Sequence, residues 1–78
     1  MYTVEHEFDA TIITVLDEAG IYEDVEVVLD EETVYMRQWD EDLGKYEMLI
    51  LSYQQFLDIA ASLHSKEGMF TVERQPND

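Results

Sequence analysis

Eight carboxylates fall within the seventeen residues from Leu16 to Glu32, "LDEAGIYEDVEVVLDEE", and no Lys or Arg stands among them. The whole chain sets 19 Asp and Glu against 4 Lys and Arg, a net charge of −15 over 78 residues. Like charge at this density opposes a compact state. Such a chain folds only if the acids are held on the surface while the apolar residues between them meet in a core. At 46% the apolar content is that of an ordinary globular protein, which separates this chain from disordered sequences, where high net charge accompanies few apolar residues. A chain so short buries only about 60% of its unfolded surface, so residues 1–78 read as one small acidic domain.

The same charge excludes several roles. Affinity for nucleic acid needs clustered Lys and Arg, and Arg37, Lys45, Lys66 and Arg74 are few and scattered. Anionic lipid would repel the chain as well. Its longest purely apolar run, Met48 to Leu51, is far too short to span a bilayer. The start "MYTVEHEFDA" lacks the basic and apolar segments of a signal peptide. With no Cys there is neither a disulfide nor a thiolate metal cluster, which fits a cytoplasmic location.

Residue pattern predicts an α+β fold. Met1 to Glu7 reads as a loose lead-in. Phe8 to Leu16, "FDATIITVL", is rich in β-branched residues and reads as a strand. A helical alternative exists, with Phe8, Ile12, Val15 and Ala19 near one face and Gly20 as a cap, but Asp17 and Glu18 would sit poorly at a helix C-terminus. "DVEVVLD" predicts a second strand, with Val25, Val27 and Leu29 on one face and Glu26, Val28 and Asp30 on the other. "DEE" closes a hairpin into "TVYMRQW", where Val34 and Met36 alternate with Tyr35, Arg37 and Trp39. "DEDLGK" is a turn, and "YEMLIL", apolar on both faces, reads as a central fourth strand.

The boundary at "LSYQQF" is the most explicit. Ser52 followed by Gln55 makes a capping box, and Leu51 with Phe56 has the spacing of a hydrophobic staple. A helix over about 52–66 follows, with Tyr53, Phe56, Leu57, Ala60 and Leu63 in one stripe, His64 and Lys66 in its last turn and Gly68 as its stop. "MFTVER" then predicts a short C-terminal edge strand, and "QPND" a tail. The expected architecture is an antiparallel β-meander of about four strands with one helix packed on one face, the other face being left to solvent or to a partner.

No catalytic constellation emerges, so the chain is not expected to be an enzyme or to carry a cofactor. "DEAGIYED" and "DEDLGKYE" miss the spacing and glycine position of a calcium loop. His6 and His64 stand alone. Ser52 has a capping role, and Ser62 lacks an evident activating partner. What remains is the carboxylates. Strand residues i and i+2 share a face about 6.6 Å apart, comparable with successive phosphates along one nucleic-acid strand. Glu7 and Asp9, Asp24 and Glu26, and Asp40 and Asp42 have that relation, the last pair only if the strand continues. The turns Asp30-Glu31-Glu32 and Asp40-Glu41-Asp42 fall at opposite ends of the third strand, an acidic ridge about 20 Å long. The predicted partner-binding set is therefore Glu26, Asp30, Glu31, Glu32, Asp40, Glu41 and Asp42 for charge, with Tyr35 and Trp39 as aromatic anchors. The bland readings remain open: a salt-adapted surface for the acids, and core positions for the aromatics.

In its order of elements, the segment "VEVVLDEETVYMRQWDEDLGKYEMLILSYQQFLDIAASL" resembles small phage and mobile-element proteins. Size and charge make the chain similar to the acidic inhibitors among anti-CRISPR and anti-restriction proteins, several of which mimic nucleic acid. That resemblance implies an inhibitor whose partner is a basic nucleic-acid-binding protein or complex, without direct nucleic-acid contact. The alternative is an accessory or assembly protein, with an uncovered sheet face that pairs with a second copy, as a homodimer, or with another subunit.

Overall fold

The structure is a computed structural model and describes residues 1–63. Five strands, β1 (Tyr2–His6), β2 (Thr11–Val15), β3 (Val25–Leu29), β4 (Val34–Asp40) and β5 (Lys45–Leu51), precede one helix, α1 (Tyr53–Ser62). Each strand pairs antiparallel with the next, giving one sheet in the order β1-β2-β3-β4-β5. The α+β meander is thus present, with five strands where about four were expected. The additional one is β1, in the segment read as a lead-in. Its residues pair with β2 from Tyr2↔Val15 to His6↔Thr11, so backbone bonding orders a segment whose side chains are all exposed. Within Phe8–Leu16 the strand reading holds over Thr11–Val15, and Phe8 lies fully exposed in the β1–β2 turn.

Strand parity follows the sequence pattern. Val27 faces Ile13 on one side and Met36 on the other, and Val34 faces Leu29 and Leu51. These residues share the face on which α1 lies. Val34, at 0% exposure, is the centre of a small core with Val27 and Leu51, and Ile13, Val25, Leu29, Met36 and Phe56 pack around it. On the opposite face Glu5, Ile12, Val28, Tyr35 and Ile50 form one row across all five strands. Val28, between Ile12 and Tyr35, is buried there at 4% exposure.

Two expectations change. Among the described residues the apolar strand "YEMLIL" is not central: there β5 pairs only with β4. A meander adds each strand beside the last, so the last described strand has a single described neighbour whatever its composition. The helix also covers less than its stripe suggested. Ser52 caps it with both halves of the capping box in place, the Ser52 Oγ accepting from the Gln55 N–H at 3.1 Å and Gln55 Oε1 accepting from the Ser52 N–H at 3.0 Å. Phe56 completes the staple with Leu51 in the core, whereas Leu57, Ile59 and Leu63 stay exposed. The cap at Leu63 closes the described helix. His64, Lys66, Gly68, the strand expected at "MFTVER" and the tail lie outside the described residues.

The β3–β4 and β4–β5 connections are short and chemically specified. Asp30 N–H donates to the Thr33 carbonyl at 3.0 Å across the two-residue loop Glu31-Glu32. Gly44, at φ 65°, closes the β4–β5 turn in the left-handed region that side chains avoid. We expect Val34→Ala to cost about 2 kcal/mol through lost burial and a residual cavity, and Ser52→Ala about 1 kcal/mol through the lost cap. Leu57→Ala should stay within about 0.5 kcal/mol because its side chain is exposed. Urea unfolding of the three variants checks the ranking.

Candidate interaction surface

A meander places alternate turns at the same end of the sheet. The β1–β2 and β3–β4 turns therefore share one end, and the β2–β3 and β4–β5 connections share the other. The carboxylates follow this division. Glu7, Asp9, Asp30, Glu31 and Glu32 gather at the first end, and Asp17, Glu18, Glu23, Asp24, Asp40, Glu41 and Asp42 at the second. Between the two, β4 presents Tyr35, Arg37 and Trp39 on one face and Met36 and Gln38 on the other. The expected ridge is therefore two acidic poles, about 20 Å apart along a seven-residue strand. Asp42 lies in the turn, since β4 stops at Asp40.

The nine predicted residues divide by what each is already doing. Glu26, mid-strand on β3, is opposite Arg37 and accepts from its Nη2 at 3.0 Å. The pair is half-buried; the Glu26 hydrogen bond raises the pKa of Arg37, and Glu26 offers no free charge. Asp30 organises its own turn: Oδ1 accepts from the Thr33 N–H at 2.7 Å, the Glu32 N–H at 3.0 Å and the Thr33 hydroxyl at 3.1 Å. The bond from the Thr33 N–H, with that from Glu32 next, holds the Asp30 carboxyl below its ordinary value of 3.8. Glu31 and Glu32 are exposed at the tip. Tyr35 is half-buried between Val28 and Ile50.

At the second pole, Asp40 Oδ1 accepts from the Leu43 N–H at 3.1 Å and the Asp40 carbonyl from the Gly44 N–H at 2.8 Å. This pins the turn that displays Glu41 and Asp42. Trp39 meets Tyr46 edge-to-face, with ring centroids 5.1 Å apart at 76°. Arg37 lies over the Tyr46 ring, its guanidinium carbon 4.9 Å from the centroid. Trp39 thus belongs to an exposed aromatic cluster locked by a cation, neither core nor a free anchor.

The predicted set of nine does not contain Glu23, Tyr22 or Glu47, which line a shallow groove of about 320 Å³ with Trp39, Asp40, Glu41 and Asp42. Asp17 builds the loop that brings them there, accepting from the Tyr22 N–H at 2.9 Å, the Ile21 N–H at 3.0 Å and the Ala19 N–H at 3.3 Å. The bond from Tyr22 is the largest influence lowering its pKa. Glu23 shares a hydrogen bond with Glu41, which raises its pKa above 4.5, with desolvation and repulsion from Glu41 and Asp24 adding to the effect. The signal for this meeting was available, because both loops must fall at one end of any meander. The first pole holds an open cleft of about 630 Å³ lined by Glu7, Phe8, Asp9, Asp30, Glu31 and Tyr53, among others, where the Tyr53 hydroxyl donates to the Asp30 carbonyl. Among the described residues, no group of three or more His, Asp or Glu side chains is arranged to hold a metal ion. No helix among them is long and apolar enough to cross a membrane.

Fold and surface together define a small acidic α+β meander with charged turns at both ends and one sheet face that α1 does not cover. The chain belongs to the family described as a domain of unknown function, DUF8831, whose model matches residues 3–62 and so takes in the sheet and the described helix. No curated protein and no solved structure matches it.

The titrations have opposite signs. Asp17 and Asp30 have lowered folded-state values, so their stabilisation is present above the unfolded carboxylate value of 3.8 and is lost as pH falls through the folded one. Glu23 has a raised value, so its ionisation opposes folding, and stability declines as pH rises from 4.5 through the folded value. Glu41→Gln should bring the Glu23 carboxyl back down toward 4.5, and Asp30→Asn should destabilise at pH 7 far more than in acid. Carbon-detected carboxyl titrations by NMR and urea unfolding at two pH values read both.

Proposed function

We propose that this protein is a non-enzymatic inhibitor that binds a basic, nucleic-acid-handling protein in a reducing compartment such as the cytoplasm, presenting carboxylates where the partner normally receives phosphates. The observation carrying this reading is the crowding at the second pole. Glu23 and Glu41 share a proton-dependent hydrogen bond beside Asp24, and neither meets a cation among the described residues. Unrelieved like charge of this kind opposes folding, and a Lys- or Arg-lined groove would relieve it while releasing the counterions gathered there. The turn at Asp40–Gly44 is held by its own backbone and side-chain bonds, so Glu41 and Asp42 are displayed with little ordering left to do on binding. Trp39 and Tyr46 stand beside them as the aromatic part of a contact surface.

A second reading has its own support. The face opposite α1 exposes Trp39, Tyr46, Met48 and Ile50 together, which suits an accessory or assembly protein that binds a subunit there.

Salt separates the two. Binding through the acidic pole should weaken steeply as salt rises, whereas apolar docking should respond little. Neutralising the pole with Glu23→Gln, Glu41→Gln and Asp42→Asn together should weaken inhibition of a DNA- or RNA-handling complex more than tenfold and leave the melting temperature unchanged or raised. Competition against duplex DNA on purified nucleases and CRISPR effector complexes measures the effect. Full inhibition by the triple variant would contradict the reading.

A further inference from the structure

Among the described residues the meander leaves two free sheet edges, and they differ. β1 has only five residues, and a short edge strand is a poor template for further pairing. β5 has seven, keeps a regular register with β4 from Asp40↔Lys45 to Val34↔Leu51 without a bulge, and contains no Pro. Its side chains Met48, Leu49 and Ile50 are 54%, 56% and 67% exposed. An edge of this length and polarity is a template for another strand.

The backbone phase says which groups are free. In an antiparallel ladder the N–H and C=O of one residue point to the same side, and successive residues alternate. The Asp30–Thr33 bond therefore turns the odd-numbered residues of β4 toward β3 and Val34, Met36, Gln38 and Asp40 toward β5. Their partners are Leu51, Leu49, Glu47 and Lys45. Tyr46, Met48 and Ile50 are left with outward N–H and C=O groups, and among the described residues no strand lies beyond them. The side chains of the same three lie on the face that α1 does not cover.

We infer that a second copy of this chain pairs with β5 in antiparallel fashion about a two-fold axis through Met48, joining two five-stranded sheets into one of ten strands. Met48 then lies opposite Met48 of the second copy, and Tyr46 opposite Ile50. Every outward group of Tyr46, Met48 and Ile50 is bonded, six backbone hydrogen bonds in all, and the six side chains form one apolar row. Neighbouring registers are worse. Shifting one way sets Glu47 against Glu47, like charges directly opposed. Shifting the other way sets Tyr46 against Ser52, whose N–H and C=O are already taken by Gln55 and Phe56.

Charge favours a copy of the same chain as the occupant. β5 carries one Lys and one Glu and is locally neutral in a molecule of charge −15. Continuing the register brings Glu41 and Asp42 toward the first turn of α1 in the second copy, which carries no acidic residue of its own and whose exposed N–H groups favour negative charge. The more distant acidic turns of the two copies repel, so screening them with salt strengthens association. A seam of seven residues is smaller than the standard interface of about 800 Å² per partner, so the dimer is concentration-dependent.

Sedimentation velocity over a hundredfold concentration range tests this directly. Mass should rise from monomer toward dimer, and the dimer fraction should grow between low and moderate salt. That sign is opposite to the one expected for binding through the acidic pole, so the two proposals fail separately. Met48→Lys places like charges on the axis and should weaken association at least tenfold with an unchanged circular dichroism spectrum. Met48→Cys supplies the only thiol in the chain; directly opposed, hydrogen-bonded residues have Cα atoms about 5.5 Å apart, within disulfide range, so oxidation should give a covalent dimer, and Val4→Cys on the other edge should give far less. A monomer at every concentration, or a dimer that Met48→Lys leaves intact, overturns the inference. Slow amide exchange at Tyr46, Met48 and Ile50 in a strict monomer would assign the edge to residues of the same chain and overturn it equally.

Discussion

Val34 is where the parts of this molecule meet. It has no accessible surface, it lies opposite Leu29 and Leu51 in the ladder, and with Val27 and Leu51 it forms the core against which Phe56 of the helix packs. In a domain this size few residues are fully buried, and each accounts for a large share of a small margin of stability. The hydrophobic staple matters for the same reason. With Phe56 packed against the core that contains Leu51, on the other side of the Ser52 cap, the helix is fixed on the sheet through one aromatic side chain while the rest of α1 remains exposed.

That economy explains the distribution of charge. A core built from one row of valines and leucines cannot tolerate carboxylates facing it, and strand alternation sends those on β1 and β3 to the other face, where Glu26 is neutralised by Arg37. Most of the remaining described acids, Glu47 on β5 and Asp58 on α1 apart, collect in or beside connections, and the alternating geometry of a meander sorts connections into two groups at opposite ends. Some of these acids build structure, as Asp17, Asp30 and Asp40 do by binding the N–H groups of their own loops. Others, Glu23 and Glu41 above all, are crowded together, which raises the Glu23 pKa. Two poles flanking a neutral, apolar sheet keep electrostatic and hydrophobic contacts on separate parts of one small surface.

Much of the fold was legible in residue order. The alternation of Val25, Val27 and Leu29, and of Val34 and Met36, gave the inner face correctly. Ser52, Gln55, Leu51 and Phe56 gave the helix start to the residue. β1 was missed because its order comes from backbone pairing with β2 and not from burial of its own side chains. Apolar residues on both faces are read as a sign of a central strand, whereas strand order is decided by topology, and among the described residues β5 ends the sheet. At the surface, the tips Glu31, Glu32, Glu41 and Asp42 were foreseen. The neutralisation of Glu26 was not, because the Glu26↔Arg37 pairing follows from the two-residue loop at Glu31-Glu32, and a change of loop length would have placed another residue there.

The central claim is that negative charge here is concentrated at two poles that a cationic surface can engage, and is not an even coat. Titration with a short oligo-arginine peptide, followed by amide chemical shifts at low and high salt, tests it most directly. The account predicts shifts confined to residues 7–10, 30–33, 22–24 and 40–44 that disappear at high salt. Shifts spread evenly over both sheet faces and the helix, or no saturable response at all, would contradict it.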